Sequence, residues 1–484
     1  MIRPRRGSVV GSGVLLLLLP VARPAYGQGE PVTAFVNATV VDVERGAVSR
    51  NQTIVTRAGR IAAVGSSTST RVPRGATRID LRGQYVIPGL WDAHVHVSGN
   101  ADIPAIVEYF GSLFLRNGVT GIRDAGGYAT RLNALDSIGR ARPGAMPRLI
   151  HAGDKVGPLA GQPWTMAATR SAIDARLKAG ASFIKLSLNY PTELFAPTLA
   201  ACAAVRLHCV SHVPAGDTGL WLAAPGRGSF EHLFNIAEHV SSRPASELFA
   251  DTREYEQPTI RQRVLYKLRL RRRPMDPREM RLALRDTSRD EAFFSRLAAS
   301  GTWITPTLAL HHHLTRVVDL PAAAVDTTLT PSAGQQEPAR SSQALRTSKA
   351  LWDLWTGLVR AMHAAGVPML AGTDFSRAHV PGAVLHAELV LLQDAGVPAP
   401  DVLRMATVNV ARYLGALDSL GSVAPGKVAD LVVVRRNPLD DIRHVSDISL
   451  VMTRGTLLRG ATLDSLTRVA RSALVRLRAG SRNQ

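Results

Sequence analysis

Residues 86–97 read Val-Ile-Pro-Gly-Leu-Trp-Asp-Ala-His-Val-His-Val, an apolar run that ends in two histidines. The run predicts a buried strand, and side chains two residues apart on a strand point to the same face. We therefore expect His94 and His96 to project together beyond the end of this strand. Two converging imidazoles can supply half of a divalent-metal site, although they can equally be two histidines of a protein core. The other ligands of a metal must come from elsewhere in the chain.

The region around and after this stretch alternates apolar strands with helical stretches. Helical periodicity is found, for example, at residues 103–117 and 167–179. The apolar strand candidates lie at residues 86–97, 119–124, 148–152, 183–188, 208–213, 230–234, 303–308 and 369–374. Eight parallel strands that alternate with helices predict an α/β fold with a (β/α)8 TIM-like barrel. In such a barrel the chemistry lies at the carboxyl ends of the strands.

Short β-rich runs occur at both ends of the chain. They lie at residues 34–43, 52–64 and 79–86 before the predicted barrel, and at residues 429–434 and 448–453 after it. This arrangement predicts a small β-sandwich domain built from both chain ends. The predicted divisions are a signal peptide (1–27), a first sandwich part (28–86), the barrel (87–420), and a second sandwich part with a C-terminal helix (421–484).

The first 27 residues have the pattern of an export signal. Arginines precede a short apolar core at residues 14–19, and residues 25–27 form a small-x-small cleavage site. The core is too short to span a bilayer as a mature helix. We expect a protein exported to the bacterial periplasm or secreted, without stable membrane insertion. An uncleaved signal anchor is the alternative.

Charge and cysteine content limit the partners and the type of metal site. The chain of 484 residues carries a formal net charge of +20. Its dense basic cluster at residues 267–273 lacks an accompanying nucleic-acid-binding module, so we expect a basic surface and no nucleic-acid partner. Cys202 and Cys209 permit but do not indicate a disulfide, and they are too few for a Cys-rich zinc site. A monomer and a homo-oligomer both remain open.

Polar residues mark several of the predicted strand ends. A lysine in a buried strand is costly unless it is neutralised or paired. Each of these residues alone could be structural, but six potential ligands at five strand ends together predict a metal site. The candidate ligands are His94, His96, Lys185, His212, His232 and Asp374.

These motifs resemble the amidohydrolase superfamily, and within it the imidazolonepropionase-like and Xaa-Pro dipeptidase-like branch. The resemblance extends from about residue 32 to 460. It is carried by residues 86–96, by Gly-Ala-Ser-Phe-Ile-Lys at 180–185, by Ser211–His212 and Glu231–His232, by Gly-Thr-Asp at 372–374, and by Pro-Gly-Lys-Val-Ala-Asp-Leu at 425–431.

The resemblance implies a hydrolase with two divalent metal ions. His94 and His96 would bind the more buried ion together with Asp374, and His212 and His232 would bind the second ion. Lys185 would bridge the two ions after N6-carboxylation, because an ammonium repels cations whereas a carbamate supplies two oxygens. Zinc is the expected ion for ligands of these types.

The resemblance also implies a mechanism. A water bridging two metals ionises near neutral pH, and the resulting hydroxide would attack a carbonyl polarised by the second ion. Asp374 would accept the proton of the water and deliver it to the leaving nitrogen.

Other residues are weaker candidates. His151, His311 and Arg377 are candidate substrate contacts, each with a structural role as the alternative. His311 belongs to a histidine triplet, residues 311–313, that we expect on a substrate-side loop. We expect Arg123 and Asp124 to form an ion pair within the barrel, and His386 and Glu388 to pack and cap. The Arg-rich residues 240–300 are either a lid or a structural insertion.

The predicted function is the hydrolysis of carbon–nitrogen bonds in small molecules such as Xaa-Pro dipeptides, N-acyl amino acids or cyclic amides. The same site could serve a metal-dependent esterase, lactonase or organophosphate hydrolase. Purine-type deaminases usually lack the bridging lysine, so Lys185 counts against a deaminase. A non-catalytic binding protein on the same scaffold would be expected to have lost a ligand, and none is missing.

Overall fold

The computed structural model describes residues 31–99, 102–158, 162–214, 228–240, 290–331 and 342–480. The expected signal peptide (1–27) lies outside these residues, as does most of the expected insertion at 240–300. In the described part of the chain, no helix is long and apolar enough to cross a membrane.

The strands of the described residues fall into one mixed sheet and two parallel sheets. In chain order they are β1 (Val32–Asp42), β2 (Ala47–Arg57), β3 (Arg60–Ser66), β4 (Thr77–Asp80), β5 (Tyr85–Pro88), β6 (Leu90–Val95), β7 (Val119–Asp124), β8 (Arg148–His151), β9 (Ile184–Lys185), β10 (Cys209–Ser211), β11 (Gly228–Glu231), β12 (Trp303–Thr305), β13 (Leu431–Val434), β14 (Ile448–Thr453) and β15 (Thr456–Arg459).

Helices connect most of the strands from β6 to β13. They are α1 (Ile103–Ile106), α2 (Ser112–Arg116), α3 (Ala129–Ala141), α4 (Met166–Lys178), α5 (Phe195–Ala204), α6 (Ile236–His239), α7 (Asp290–Ser300), α8 (Leu308–Thr315), α9 (Ser342–Ala364), α10 (Ala383–Asp394), α11 (Ala399–Met405), α12 (Val408–Tyr413) and, after β15, α13 (Ala461–Gly480). A π-helical turn at Val107–Gly111 joins α1 to α2, and 3-10 turns lie at Thr192–Leu194, Ala322–Ala324 and Ile442–Ser446.

The mixed sheet is built from both ends of the chain. Its order is β15-β14-β13-β5-β1-β2-β3, with β4 beside β1. The join between the ends is the antiparallel pair of β5 and β13, in which Ile87 lies opposite Val432. Both strands are apolar and buried, so the pairing removes their side chains from water. The two layers of a sandwich stay a prediction.

The strands that follow form two parallel sheets, β6-β7-β8 and β12-β11-β10-β9. Three backbone hydrogen bonds extend these sheets. The Ser182 N–H donates to the His151 carbonyl at 2.8 Å, the Leu370 N–H to Ile304 at 2.9 Å, and the Ala93 N–H to Ala371 at 2.9 Å. The α/β architecture with parallel strands is therefore confirmed, and the complete barrel stays a prediction.

The opening stretch is two strands and not one. The chain changes partners at Gly89: β5 pairs with β1 and β13, whereas β6 pairs with β7. A Cβ atom at Gly89 would lie 2.0 Å from Oγ1 of Thr120, so only glycine fits at this crossover. An unbroken apolar run hid this change of sheet.

Two other strand predictions were wrong in detail. Residues 52–64 span the end of β2, a turn at Ala58–Gly59 with positive φ at both residues, and the start of β3. Residues 369–374 form only an isolated parallel bridge between Met369 and Ile304 instead of a strand. The chain leaves extended geometry at Asp374, whose φ is 42°.

Cys202 on α5 and Cys209 on β10 form a disulfide with a Cα–Cα distance of 6.0 Å. The sequence permitted this bond without predicting it. It joins the helix to the strand that follows it in the chain.

Gly121→Ala tests the close packing of β6 on β7. A Cβ atom at Gly121 would lie 2.1 Å from the rigid indole ring of Trp91, so we expect the free energy of unfolding to fall by about 1–3 kcal/mol. Chemical denaturation measures this change. Gly99→Ala is the control, because a Cβ there meets no atom within 4 Å. Equal stability of the two variants would contradict the packing.

Candidate metal centre

The six predicted ligands line one cavity of about 450 Å³. They come from the carboxyl ends of different segments, where parallel strands open towards the same side. His94 lies on β6 and His96 just after it, Lys185 ends β9, and the remaining three follow other segments. His212 follows β10, His232 follows β11, and Asp374 follows residues 369–373.

Asp374 lies at the centre of the group. Its carboxylate oxygens are 3.5 Å from Nε2 of His96, 3.5 Å from Nε2 of His232, and 3.9 Å from Nε2 of His94. One ligating atom each from His94, His232 and Asp374 lie within 4.8 Å of one another. The ring centroid of His212 is 5.0 Å from that of His232.

The Nδ1 atoms of His94, His96 and His232 each have a hydrogen-bond partner. Nδ1 of His94 lies 2.5 Å from Oε2 of Glu231, and Nδ1 of His96 lies 2.8 Å from the Gly126 carbonyl. Nδ1 of His232 lies 2.7 Å from the Thr307 hydroxyl. Because a carboxylate and a carbonyl only accept, Nδ1 donates in His94 and His96. In the neutral ring of His94, Nε2 therefore carries the lone pair, and the Nε2 atoms of both rings face Asp374.

Burial favours the uncharged form of three of the histidines, His94, His212 and His232. It lowers the pKa of His94 to about 4 and holds the pKa of His232 well below its ordinary value. It also lowers the pKa of His212 to about 2, with a further contribution from the nearby charge of Lys185. Neutral imidazole is the form that binds a metal ion.

Two buried nitrogens in the cavity have no hydrogen-bond partner among the described residues. They are Nζ of Lys185 and Nδ1 of His212. Buried polar atoms are normally paired, so an unpaired one calls for an explanation such as an ion or a modification. Burial also lowers the pKa of Lys185 to about 8, which increases the fraction present as the neutral amine.

A buried network of Arg123, Glu231 and Ser229 orients the ring of His94. Glu231 accepts from Arg123 Nη2 at 2.7 Å and from Ser229 Oγ at 2.6 Å, in addition to His94. Burial alone would raise the pKa of Glu231, but Arg123 and His94 hold it well below its ordinary value. Arg123 therefore pairs with Glu231, and the expected pair with Asp124 was wrong. Asp124 instead accepts from the backbone N–H of Val97 at 2.7 Å.

Asp92 is a supporting residue that the sequence reasoning missed. Its carboxylate accepts from the His94 N–H at 3.2 Å, the Thr373 N–H at 3.0 Å and the Thr373 hydroxyl at 2.7 Å. It thus ties the segment that carries Asp374 to the strand that carries His94. An acidic residue inside the apolar run at 86–97 was the available signal.

The weaker candidates lie outside the cavity lining. Nε2 of His151 is 3.1 Å from Oδ1 of Asn133. Nε2 of His311 accepts from the Leu233 N–H at 3.1 Å, and its ring packs on Trp355 with the centroids 4.0 Å apart. Arg377 is exposed. Their role as substrate contacts stays a prediction.

The histidine triplet is helical, and the expected loop was wrong. Residues 311–313 lie on α8, where Glu388 caps the first turn. Glu388 accepts from the Leu308 N–H at 2.9 Å and the Ala309 N–H at 2.6 Å. The expected capping role of Glu388 is therefore confirmed. His386 packs with its Nε2 at 2.9 Å from the Asn117 carbonyl.

Lys155, Leu188, Phe234, Asn235 and Leu310 complete the cavity lining. The sequence reasoning did not select them, because they lie in the segments after the strands, where pattern carries little information.

The donor set fits divalent metal ions. Three imidazoles converge through their Nε2 atoms on a carboxylate, which matches the nitrogen and oxygen ligands that zinc takes in proteins. Lys185 fits only as a neutral or carboxylated group, because its ammonium would repel a cation.

Glu231→Gln tests the buried network. It leaves the guanidinium of Arg123 without a compensating charge, so we expect the free energy of unfolding to fall by about 3–5 kcal/mol. Urea denaturation with a chelator present measures this independently of metal. Asp447→Asn, which removes the charge that pairs with Arg435 and Arg436 at the surface, should cost less than about 1 kcal/mol. Similar losses in both variants would contradict the role of the network.

Comparisons with known proteins agree with the motifs. Residues 287–458 match the profile of the Amidohydrolase family. The imidazolonepropionase of Thermoplasma acidophilum is 30% identical over 96 residues, which are 19% of this chain and 23% of that protein. The enamidase of Eubacterium barkeri is 33% identical over 124 residues, 26% of this chain and 25% of that protein. The matches thus span about a quarter of the length of these curated relatives.

Solved structures match over nearly the whole chain. A Xaa-Pro dipeptidase with methionine bound in its active site has a TM-score of 0.63 at 18% identity, covering 89% of this chain and 100% of that one. A bottromycin amidohydrolase has a TM-score of 0.65 at 21% identity, covering 92% and 90%. At these identities the matches show a shared fold. Together with the profile match, they confirm that this chain resembles the amidohydrolase superfamily, as its motifs predict.

Proposed function

We propose that this protein is an exported, metal-dependent amidohydrolase that cleaves carbon–nitrogen bonds of small substrates such as Xaa-Pro dipeptides or N-acyl amino acids. One observation carries the proposal: the Nε2 atoms of His94, His96 and His232 surround the carboxylate of Asp374 in a cavity that Lys185 and His212 also line. The similarity to amidohydrolases supports it.

Two divalent ions, with zinc the expected metal, would occupy the cavity. His94, His96 and Asp374 would hold the more buried ion, and His212 and His232 the second. Such an ion supplies a water of lowered pKa and polarises the scissile carbonyl. This division would make His212 a metal ligand, which fits a buried imidazole whose Nδ1 has no partner among the described residues.

Lys185 would bridge the ions as a carbamate. Its Nζ is buried and without a partner in the described residues, and its lowered pKa increases the fraction of the amine, whose lone pair can attack carbon dioxide. A nitrogen–carbon bond forms as one carbon–oxygen π bond of carbon dioxide opens, one proton leaves the nitrogen, and the uncharged amine becomes a negative carbamate. That negative charge would then compensate the cations.

Asp374 is the proposed acid and base. Its side chain is 22% exposed, which leaves it accessible to a water and a substrate. It would accept a proton from the attacking water and deliver it to the leaving nitrogen, so that the amine departs neutral. Asp92 and Thr373 would keep its segment in register with His94.

Three further elements belong to this proposal. The parallel sheets would close into the eight-stranded barrel through the segment at 369–374. The chain ends would form a separate β-sandwich domain. Residues 1–27 would direct export, and a disulfide between Cys202 and Cys209 is typical of proteins in oxidising compartments.

The deciding experiment measures the metal content of the protein together with hydrolysis of dipeptides and N-acyl amino acids. About two metals per chain with turnover of an amide would support the proposal. Two metals with turnover only of esters, lactones or phosphotriesters would redirect it to those substrates. No bound metal after supplementation would contradict it.

Asp374→Asn tests the acid and base role. We expect kcat to fall by about 10²- to 10⁴-fold while much of the bound metal is retained, because the amide keeps an oxygen ligand but cannot shuttle the proton. Steady-state kinetics with metal analysis on the same sample measures both. Full activity would rule out the role.

Lys185→Ala tests the bridge. We expect the metal content and the activity both to fall, and short carboxylic acids such as acetate to restore part of each by supplying the missing oxygens. Elemental analysis before and after the addition gives the result. Lys178→Ala, at an exposed position on α4, is the control. Unchanged metal occupancy in Lys185→Ala would show that Lys185 is not a bridge.

A further inference from the structure

The segment after β8 places a second lysine beside Lys185. Val156 forms a parallel bridge with Leu186, its N–H donates to the Lys185 carbonyl at 2.8 Å, and its carbonyl accepts from the Ser187 N–H at 2.8 Å. Lys155 and Lys185 precede the two bridged residues. Their side chains therefore lie side by side, and both line the cavity. Lys185 is buried, whereas Lys155 is exposed.

The aliphatic stem of Lys155 lies against Gly126. A Cβ atom at Gly126 would lie 3.0 Å from Cγ and 3.0 Å from Cε of Lys155, so the aliphatic stem lies directly over this glycine. The carbonyl of Gly126 is the acceptor for Nδ1 of His96. Lys155 and the candidate ligand His96 thus both contact Gly126.

The remaining lining has a simple chemical character. Beyond the six candidate ligands, the described lining residues are the cation Lys155, the amide Asn235, and the apolar Leu188, Phe234 and Leu310. Leu188 is 75% exposed, so an apolar surface faces the opening. The wall beside the ligands therefore offers one positive charge and apolar surface.

Lys155 forms no ion pair with any residue that the structure describes. The buried carboxylate of Asp124 feels this charge. Its oxygens, however, accept from the N–H groups of Val97 and Gly126, at 2.7 Å and 3.1 Å. The ammonium is left available to a ligand in the cavity.

We propose that Lys155 forms an anion subsite, and that the substrates of this protein are small amides with a carboxylate on one side of the scissile bond and an apolar group that contacts the Leu188, Phe234 and Leu310 wall. Lys155 binds the carboxylate and so determines specificity. This inference rests on the proposed function. It favours dipeptides and N-acyl amino acids over cyclic amides that lack an acid.

The test compares wild type with Lys155→Gln, Lys155→Arg and Lys178→Gln, each as the metal-loaded protein. Lys178→Gln removes the same charge from an exposed position on α4. Each protein is assayed with Met-Pro and N-acetyl-leucine and with the corresponding C-terminal amides, Met-Pro-amide and N-acetyl-leucinamide. The readout is the ratio of kcat/KM for each free acid to that for its amide.

We expect wild type to prefer the acids, and Lys155→Gln to lower the acid-to-amide ratio by roughly 10- to 100-fold, mostly through KM. Lys155→Arg should restore most of the ratio, and Lys178→Gln should leave it at the wild-type value. An unchanged ratio in Lys155→Gln would overturn the subsite.

Ligand binding separates the subsite from the proposed function. The same proteins are titrated with 4-methylpentanoate and 4-methylpentanamide by calorimetry. Preference for the acid that is lost in Lys155→Gln supports the subsite even if no amide is hydrolysed, in which case only the proposed function fails. Equal binding of the acid by wild type and Lys155→Gln, or no binding of either ligand, overturns the subsite.

Discussion

A guanidinium with no contact to water is the constraint around which this structure is arranged. Arg123 is fully buried, and an unpaired buried charge is too costly for a folded protein to keep. Its partners are the Glu231 carboxylate, the hydroxyls of Ser229, Thr305 and Tyr413, and the Ala93 carbonyl. These groups lie on β6, β11, β12 and α12, so satisfying one side chain brings four elements to fixed positions around β7.

The same constraint reaches the cavity through two carboxylates that are not candidate ligands. Glu231 accepts a hydrogen bond from Arg123 with one carboxylate oxygen and orients the ring of His94 with the other. Asp92 joins the backbone of His94 to Thr373, the residue before Asp374. A ligand atom that is held from behind loses little freedom when an ion binds, which is why such supporting contacts influence metal affinity. The order of the cavity thus originates in the buried polar contacts beneath it.

The sequence predicted the parts of this arrangement that depend on period and on residue type. The α/β alternation and the six candidate ligands could be inferred because buried parallel strands are continuous apolar runs and polar residues at their ends stand out. The partner of Arg123 could not be inferred, since Glu231 is distant in sequence and only the fold brings them together. The division at Gly89 was missed because both strands are apolar. Lys155 was missed because a lysine in a connecting segment looks like any solvated lysine until its neighbours are known.

The join between β5 and β13 has a consequence for the order in which the molecule is completed. β5 directly precedes the strand that carries His94, and its antiparallel neighbour is made of residues 431–434. During synthesis this edge of β5 stays open until residues 431–434 have been made. Pairings between distant parts of a chain form slowly, and open strand edges invite association with other chains. The strand that leads into His94 and His96 therefore gains one of its two neighbours only after the whole region between β5 and β13 has been made.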